Sequence, residues 1–438
     1  MIGRVAPLRV VLGSLLAVIG SAPGAEASGH ANPRFSPVAK GYAQTKVNAT
    51  IYQTNALTTH GNTQYIAFYD PDATVTLARR TLGTSTWEVK KTRYKGNVKD
   101  RHNVICIAVD GSGTLHMSWD HHCSPLRYCR GVAPGSLELT DKMPMTGVKE
   151  GCVTYPEFFN LPNGDLLFMY RDGASGKGNI MLRRYDVKSK KWSVVQNAFI
   201  HGQGERNAYT NQIAIARDGT WHISWCWRET SNAMTNHDIC YAKSDDEGKT
   251  WRKSNGEKYD LPITAENAEV AVEIPQNSEL INTTAMTVDS KGRPIICTYW
   301  RPESDVTPQF HLVFHDGKQW HTRQITRRKT PFSLRDIGAK PIQISRPKVL
   351  VDNRDRVYVI FRDMERGNGV SVAASQPPAY EKWVIKDITD IPLGAWEPNY
   401  DVAVWRRGRI IHLLHQQVEW QNTAKQPTTV SVLEWKPE

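Results

Sequence analysis

Short apolar runs separated by turn residues recur along the chain, and the clearest pair lies between residues 101 and 122. Asn103–Val109 is almost continuously apolar, Leu115–Trp119 is a second apolar run, and the segment DGSG joins them. Glycine adopts the positive φ angles of tight turns without steric cost, so this pattern predicts an antiparallel hairpin. His102 and His122 lie ten residues before and ten residues after the centre of the turn. Antiparallel pairing therefore places both imidazoles at the open end of the hairpin.

The next pair of apolar runs repeats this arrangement with different polar residues. Tyr155 precedes the first run, Asn163 and Gly164 form the turn, and Arg171 follows the second run. Tyr155 and Arg171 each lie about eight residues from the turn centre, so antiparallel pairing brings them to one end of the hairpin. The edge shared by these two hairpins, with two histidines, a tyrosine and an arginine, is the candidate active site.

A unit of about 50 residues recurs along the chain, with an apolar strand, a turn, a strand rich in Trp and Tyr, and one or two further strands. The turn residues are Gly61, Gly113, Gly164, Gly219, Gly292, Asp355 and Gly408. Seven such units predict an all-β fold, a seven-bladed β-propeller with four antiparallel strands in each blade. The first strands are apolar on both faces, as expected for a sheet packed between two others. A β-sandwich is the competing fold, but it does not produce seven similar units at this period.

The two ends of the repeat region are predicted to pair with each other. The last unit has a first strand at Asp401–Trp405, a second at Arg409–His415 and a third at Thr428–Trp435. Arg34–Ala43 is the segment expected to supply its outer strand. This pairing would close the ring and leave no long exposed strand edge.

The first 27 residues are predicted to be a signal peptide rather than part of the fold. Arg4 and Arg9 form a positive region, Val10–Ile19 is apolar, and the tripeptide AEA at 25–27 is a small-residue cleavage site. Residues 28–438 then form a single secreted catalytic domain. No later stretch reaches the length of about 18 apolar residues that a membrane-spanning helix needs.

The formal net charge is +11, from 55 Lys and Arg against 44 Asp and Glu. A positive protein attracts anionic partners, and the charge alone fits both nucleic acid and acidic polysaccharide. For a secreted protein we expect an anionic polysaccharide substrate, with neither nucleic acid nor membrane as a partner, and a monomer.

Seven cysteines are present. Three of them, Cys123, Cys129 and Cys152, cluster near the candidate site, and an oxidising compartment favours one disulfide among them. Cys106 and Cys297 lie within apolar strands and are predicted to be buried thiols.

In a propeller, the positions where first strands begin and second strands end lie on one face. These positions are His102, His121, His122, Tyr155, Arg171, Tyr209, Trp227, Arg228, Trp300, Arg301, Arg346 and Arg362. No pair of carboxylates stands out among them, although glycoside hydrolysis usually needs two. β-Elimination beside a uronic acid instead needs a cation for the carboxylate and groups that move protons. Arginine, histidine and tyrosine suit those roles.

The repeated units and the stretches NHDICYAKSDDEGKTW and HLVFHDGK resemble the BNR-repeat propeller proteins that include ulvan lyases. The separations of 20 residues between His102 and His122, and of 16 between Tyr155 and Arg171, resemble the catalytic spacing of those lyases. The resemblance implies a lyase that cleaves an ulvan-like polysaccharide at rhamnose–glucuronate linkages by β-elimination. It implies that His102 and Tyr155 share proton transfer and that His122 and Arg171 bind the uronate.

The same resemblance implies further sugar-binding residues. Tyr209 corresponds to a tyrosine that helps to bind sugar in those enzymes. The other candidates for substrate binding are His121, which adjoins His122, and Arg228, Arg301 and Arg362. Related propellers that cleave rhamnose–glucuronate linkages in plant gums are an alternative for the polysaccharide.

A second group of residues has the side chains of a zinc site. Cys226 ends a second strand, His237 and Cys240 lie in the adjoining third strand, and His311 and His315 lie in the next unit. Four Cys and His ligands form closed structural Zn²⁺ sites, so we expect a structural zinc on Cys226, His237, Cys240 and His311. We expect no catalytic cofactor. The alternative is that the thiols are buried small hydrophobic groups.

Two other functions compete with a lyase. A sialidase-like glycoside hydrolase would use an arginine cluster for the carboxylate together with a Tyr–Glu nucleophile pair. A non-catalytic carbohydrate-binding propeller would bind a polyanion without cleaving it. Only a lyase creates a C4–C5 double bond, which absorbs ultraviolet light.

Overall fold

The computed structural model describes residues 1–3, 32–52, 55–336 and 341–438. The chain divides into two compact units, Met1–Asn32 and Pro33–Glu438, and the strands described below belong to the second. The predicted signal peptide, apart from residues 1–3, lies outside the described residues.

The described residues form mainly β-strands. The first nine are β1 (Arg34–Gly41), β2 (Leu57–His60), β3 (Thr63–Tyr69), β4 (Thr74–Thr81), β5 (Glu88–Lys95), β6 (Ile105–Val109), β7 (Leu115–Trp119), β8 (His122–Ser124) and β9 (Tyr128–Arg130). The next nine are β10 (Val153–Asn160), β11 (Leu166–Ala174), β12 (Lys177–Asp186), β13 (Lys191–His201), β14 (Asn207–Thr210), β15 (Ala214–Ile215), β16 (Trp221–Arg228), β17 (Asn236–Ser244) and β18 (Glu269–Val272). The last ten are β19 (Ala285–Val288), β20 (Pro294–Trp300), β21 (Gln309–His315), β22 (Trp320–Gln324), β23 (Lys348–Val351), β24 (Val357–Phe361), β25 (Ser371–Ser375), β26 (Trp383–Asp387), β27 (Ile411–His415) and β28 (Thr428–Trp435).

Helical structure is sparse in the same ranges. It comprises α1 (Val402–Gly408) and three 3₁₀ turns at Ala233–Thr235, Leu334–Asp336 and Met364–Arg366. None of the helices in the described ranges has both the length and the apolar character needed to cross a membrane.

The strands pair mainly antiparallel, in six sheets. Three sheets are four-stranded and follow chain order, namely β2–β5, β19–β22 and β23–β26. The order β6-β7-β9 forms one three-stranded sheet and β1-β28-β27 another. The remaining sheet has ten strands, because β12 and β14 are joined by a parallel pair between Gly178 and Asn207. The expectation of seven four-stranded blades therefore stays a prediction.

The predicted pairing between the two ends is confirmed. β1 pairs antiparallel with β28, with Arg34 opposite Glu434 and Gly41 opposite Thr428. The strand predicted at Asp401–Trp405 is wrong, because α1 begins there. The Asp401 carboxylate accepts hydrogen bonds from the backbone N–H groups of Ala403 and Val404 and so caps the helix.

Strand β6 is buried on both faces, as its continuous apolar sequence predicts. Ile105 and Ile107 belong to the hydrophobic cluster formed with β3 and β4. Cys106 and Ala108 instead belong to the cluster formed with β10 and β11. The core therefore lies between successive sheets, and β6 separates two parts of it.

The two hairpins of the candidate site touch at their turns. The backbone N–H of Gly111 donates to the carbonyl oxygen of Gly164 at 2.8 Å. A Cβ atom added at Gly111 would lie 2.6 Å from the Gly164 Cα atom, so only glycine fits this approach. The contact fixes one hairpin against the other at the end opposite the candidate site.

Candidate active site

The predicted histidine pair comes together at the end of the first hairpin. The rings of His102 and His122 have centroids 4.4 Å apart. Both rings are held by Asp100, whose two carboxylate oxygens accept from His102 Nδ1 at 2.6 Å and from His122 Nδ1 at 2.7 Å. The His102 side chain is 22% exposed and that of His122 36% exposed. Both imidazoles therefore remain open to a ligand while one edge of each is fixed.

Sheet register brings the second hairpin to the histidines. Strand β8, which begins at His122, leaves the sheet of β6 and β7 and pairs with β10. Thr154 of β10 lies opposite His122 on one side and opposite Arg171 of β11 on the other. The sequence predicts the shared edge, but it does not predict that β8 pairs across to the next sheet.

Tyr155 lies at an irregularity in β10. The register shifts between Thr154 and Glu157, and Tyr155 has a φ of 51°. The left-handed region costs a non-glycine residue about 1–2 kcal/mol, and such residues cluster at functional sites. The Tyr155 ring lies 6.0 Å from the His102 ring and 6.4 Å from the His122 ring, measured between centroids. The irregularity thus turns the tyrosine toward the imidazoles.

Arg171 lies behind the tyrosine. Its guanidinium carbon is 5.1 Å from the centre of the Tyr155 ring and 5.4 Å from that of Tyr209. Nε donates to the carbonyl oxygen of Gly173 at 3.1 Å. Within the described part of the chain, the buried Nη1 has no hydrogen-bond partner. An uncompensated buried donor is costly, so this nitrogen is suited to an incoming acceptor such as a carboxylate.

Tyr209 and Arg228 continue the site away from the histidines. Arg228 Nη1 donates to the Tyr209 hydroxyl at 3.2 Å, and its guanidinium carbon lies 4.2 Å from the centre of that ring. Its other nitrogens donate to the side-chain oxygens of Asn236 and Asn282, each at 2.6 Å. The Arg228 side chain is therefore fixed and already has its hydrogen bonds within the fold.

Tyr52 is a site residue that the sequence did not reveal. Its ring stacks on Tyr155 with centroids 4.5 Å apart and planes 15° from parallel, and it lies 5.6 Å from the His102 ring. Arg346 Nη2 donates to the Tyr52 hydroxyl at 2.8 Å. Arg346 in turn pairs with Glu397 at 2.8 Å. Tyr52 lies outside any strand, so no strand periodicity marks it.

Asp100 and His102 differ in their charge at neutral pH. Burial disfavours the charged form of Asp100, yet the hydrogen bonds from His102 and His122 outweigh burial and hold its pKa well below the ordinary value. Burial lowers the pKa of His102 to about 4, despite the opposing attraction of Asp100. At neutral pH, Asp100 is therefore ionised and His102 is neutral.

The two tyrosines on either side of Arg171 differ in acidity. Burial, followed by the neighbouring hydroxyls of Tyr52 and Tyr209, raises the pKa of Tyr155 well above its ordinary value. Burial also acts on Tyr209, but the charges of Arg228 and Arg171 outweigh it and lower its pKa to about 8. Tyr155 is thus a protonated phenol at neutral pH. The site combines a neutral imidazole, a phenolic acid and a guanidinium with an open donor.

The remaining predicted substrate-binding residues lie elsewhere. His121 is fully buried, and its Nε2 accepts from the backbone N–H of Arg127. Arg362 is also buried, and it donates to the carbonyl oxygens of Trp396, Gln343 and Ile342. Both side chains bind groups within the fold, and their role in substrate binding stays a prediction. Arg301 is half-buried and donates to the carbonyl oxygens of Asp305 and Asn277.

The predicted zinc ligands do not form a cluster. Cys226 and Cys240 pack in different hydrophobic clusters. His237 binds the carboxylates of Glu229 and Asp238, at 2.8 and 2.9 Å, and His311 stacks on Trp300 with centroids 3.7 Å apart. Thus these side chains do not fit the expected four-ligand site. Among the described residues, one group of three His, Cys, Asp or Glu side chains has all its ligand atoms within 4.8 Å of one another, and it consists of Asp100, His102 and His122.

The cysteines behave largely as predicted. Cys123 and Cys152 form a disulfide. Cys106 and Cys297 are free, buried thiols, and so are Cys129, Cys226 and Cys240.

Repeated antiparallel sheets with aromatic and cationic residues at one edge define a β-sheet repeat protein. The chain belongs to the BNR repeat-containing family, whose model matches residues 63–328. That match contains all four residues predicted to be catalytic.

Curated relatives include ulvan lyases. The long isoform from Alteromonas sp. is 26% identical over 236 residues, which cover 42% of this chain and 23% of that protein. The short isoform from Alteromonas sp. (strain LOR) is 23% identical over 231 residues, covering 40% of this chain and 43% of that protein. The matched region therefore spans less than half the length of either relative.

Solved structures of similar fold include two polysaccharide lyases. The polysaccharide lyase Uly1 superposes with a TM-score of 0.67 at 16% identity, covering 93% of this chain and 100% of that one. An ulvan lyase of family PL25 superposes with a TM-score of 0.68 at 12% identity, covering 91% and 95%. At these identities the likeness establishes a shared fold.

Proposed function

We propose that this protein is a polysaccharide lyase that cleaves a uronate-containing acidic polysaccharide by β-elimination. The observation that carries the proposal is the convergence of His102, His122 and Tyr155 within 6.4 Å, with Arg171 directly behind Tyr155. The ulvan lyases among its relatives support this reaction class.

Arg171 binds the uronate carboxylate, and His122 assists by holding the same sugar, where its Nε2 can accept a hydrogen bond from a hydroxyl group. An arginine fork pairs with a carboxylate through two parallel hydrogen bonds. Neutralising the carboxylate makes the C5 proton more acidic, and the guanidinium stabilises the negative charge that develops when this proton leaves. Electrostatic stabilisation of this kind is often the largest catalytic effect in an enzyme.

His102 and Tyr155 carry out the two proton transfers. His102 is neutral near pH 7, so it accepts the C5 proton. The C4–O4 bond then breaks, a C4–C5 double bond forms, and Tyr155 donates its proton to the departing O4. The raised pKa of Tyr155 keeps the phenol protonated and suits it to the acid role.

The proposed substrate is an ulvan-like polymer with rhamnose–glucuronate linkages. One structure of a PL25 ulvan lyase, with a TM-score of 0.64 to this chain, is bound to -[GlcA(1-4)Rha3S]-. The net charge of +11 favours an anionic polymer. The disulfide between Cys123 and Cys152 supports export to an oxidising compartment.

We further propose that the ten-stranded sheet comprises two blades, which gives seven blades in a secreted, monomeric protein.

The direct test is ultraviolet absorbance during incubation with ulvan, gum arabic, pectin, alginate and glycosaminoglycans. We expect unsaturated product from at least one glucuronate polymer. The Tyr155→Phe variant removes one hydroxyl, so it should fold normally and lose roughly 10²–10⁴-fold in rate. A wild-type rate in Tyr155→Phe would contradict the assigned role.

A glycoside hydrolase is the second candidate, and one observation favours it. Glu157 is buried and lines the same small cavity as Tyr155, Arg171 and Tyr209, so a Tyr–Glu pair lies beside an arginine. New reducing ends without ultraviolet absorbance would support a hydrolase. Polymer binding with no new ends would indicate a carbohydrate-binding protein.

A further inference from the structure

Asp100 holds both imidazoles of the site at once. Its Oδ1 accepts from the backbone N–H of His102 at 3.0 Å and from His102 Nδ1 at 2.6 Å, and its Oδ2 accepts from His122 Nδ1 at 2.7 Å. An ionised carboxylate can only accept hydrogen bonds, so the proton of each ring must be on Nδ1. Each Nε2 then carries the lone pair while its ring is neutral. Among the described residues, no hydrogen-bond partner is found for either Nε2.

We propose that Asp100 is a positioning residue that fixes His102 and His122 as Nδ1–H tautomers, with both Nε2 atoms available to substrate. This inference rests on the proposed lyase function. In the other tautomer, His102 would present an N–H to the sugar and would be unable to take the C5 proton. Carboxylates that orient a histidine in this way fix both its tautomer and its ring orientation. Here a single carboxylate does so for two rings.

Asp100 also neutralises the positive charge that forms on His102 during the proposed reaction. When the C5 proton moves to His102 Nε2, the ring becomes an imidazolium hydrogen-bonded to an ionised Asp100, and the pair has no net charge. Tyr155 gives its own proton to O4, so one proton is gained and one is lost by the site. Other charged or titratable groups near the His102 ring are Arg101, His122, Tyr52 and Tyr155, while Asp120 lies near Asp100.

The Asp100→Asn variant should affect the tautomers of the two histidines differently. Its amide oxygen can keep the place of Oδ1, which accepts from both the backbone and the ring of His102. The amide NH₂ then faces His122 and donates where Oδ2 accepted, so His122 must accept at Nδ1 and move its proton to Nε2. Nitrogen NMR of histidine-labelled protein should show Nδ1–H on both rings in the wild type. In Asp100→Asn, the signal of His122 should change to the other tautomer while that of His102 does not.

Kinetics provide the second measurement. We expect kcat to fall by about 10–100-fold in Asp100→Asn, as for other groups that orient a functional histidine. The carboxylate favours protonated His102, so removing it lowers the pKa of that ring further and shifts the acid limb of the pH profile to lower pH. A purely structural role would reduce the amount of folded protein without moving that limb.

Asp120→Asn is the matched control. Asp120 is a neighbouring carboxylate that accepts from the backbone of Asn97 and touches neither histidine, and its φ of 62° suits asparagine. It should keep the wild-type kcat and both tautomers. Nε2–H on His102 or His122 in the wild type, or wild-type kcat and pH profile in Asp100→Asn, would overturn the inference. Wild-type protein that yields no unsaturated product from any uronate polymer would instead overturn the proposed function, while the NMR result would still decide the tautomers.

Discussion

Cys123 and Cys152 form a disulfide that joins the strand beginning at His122 to the residue directly before the strand that carries Tyr155. Cys123 adjoins His122, and its backbone N–H donates to the Thr154 hydroxyl at 2.7 Å. The covalent bond therefore lies within three residues of two groups that the proposed reaction needs. It connects β8 to β10, the pairing that carries the first hairpin's second histidine to the next sheet.

Removing this disulfide should lower the lyase rate while the protein still folds. The bond closes a loop with a sequence separation of 29 residues, which contributes roughly 3–4 kcal/mol in the chain-entropy picture. In the Cys123→Ser/Cys152→Ser protein we expect a lower melting temperature with the β-sheet spectrum retained. The lyase rate should fall by about 10²-fold, because a displacement near 1 Å can cost that much.

Melting curves and initial rates of the double variant check this expectation. Cys106→Ala is the control, since that thiol is buried and free in the adjoining sheet. It should lose stability without a selective loss of rate. Full activity in the folded double variant would mean that the sheet alone positions His122 and Tyr155.

Arg171→Lys should retain folding and lose catalysis. Lysine keeps the positive charge but lacks the planar fork, so it cannot pair with a carboxylate through two parallel bonds. We expect kcat to fall by about 10²–10³-fold, the usual cost of losing one donor to a developing anion. Arg184→Lys is the matched control, because Arg184 pairs with Asp165 and Glu247 instead. Equal rates in the two variants would contradict the role of Arg171.

Tyr52 should contribute to the site through its ring and its hydroxyl separately. Tyr52→Leu removes the stacking on Tyr155, and aromatic pairs contribute about 0.5–1.5 kcal/mol beyond area burial. Tyr52→Phe keeps the ring but leaves Arg346 Nη2 without its acceptor. We therefore expect a lower kcat in Tyr52→Leu and mainly a lower melting temperature in Tyr52→Phe. Tyr94→Leu, which removes a tilted ring contact with Trp119, should leave kcat unchanged.

The hairpins and the pairing between the two ends of the repeat region could be predicted because local pattern determines the strands. Apolar runs around glycine turns specify β6 and β7, and the alternating segment at Thr428–Trp435 is a strand in the structure. The pattern at Asp401–Trp405 predicts a strand, but its apolar residues also suit a helix, and the Asp401 cap favours the helix. Helix capping, rather than hydrophobic pattern, thus determines the structure of that segment.

Only those residues of the candidate site that lie at strand ends could be predicted from the sequence. His102, His122, Tyr155 and Arg171 were found by their distance from two turns. Asp100 and Tyr52 were not, because they lie in irregular segments and reach the site through tertiary contacts. The zinc prediction gained no support for a related reason, since residue types in adjoining strands do not determine which way their side chains pack.

Acid should destabilise the protein through Glu397. This buried carboxylate pairs with Lys46 at 3.0 Å and with Arg346 at 2.8 Å. Burial opposes its ionisation, but the charges of Lys46 and Arg346 outweigh burial and hold its pKa well below the ordinary value. A carboxylate with a depressed pKa stabilises the fold above its unfolded pKa of about 4.3, and that contribution is lost as the pH falls.

Glu397→Gln tests this dependence. Removing one partner of a buried ion pair typically costs about 3–5 kcal/mol, because the other charges remain buried and unpaired. We expect a lower melting temperature at pH 7 and a smaller further loss between pH 5 and pH 3 than in the wild type, with pH values chosen to span the unfolded pKa of about 4.3. Glu88→Gln, which removes an exposed pairing with Arg79, is the control. An unchanged acid dependence in Glu397→Gln would assign acid sensitivity to another group.

Added Zn²⁺ should inhibit the lyase by binding at Asp100, His102 and His122. Their ligand atoms lie within 4.8 Å of one another, and zinc binds imidazole nitrogen and carboxylate oxygen at about 2.0–2.2 Å. Metal binding would displace the Nδ1 protons and occupy the groups that the proposed reaction uses. We expect inhibition that weakens as the pH falls, because protons compete with the metal for these ligands.

A chelator should restore the rate, and calorimetry should show zinc binding that is lost in His122→Gln. His237→Gln, which alters one of the residues first predicted to bind zinc, should retain that binding. Loss of zinc binding in His237→Gln but not in His122→Gln would place the metal at the other group instead.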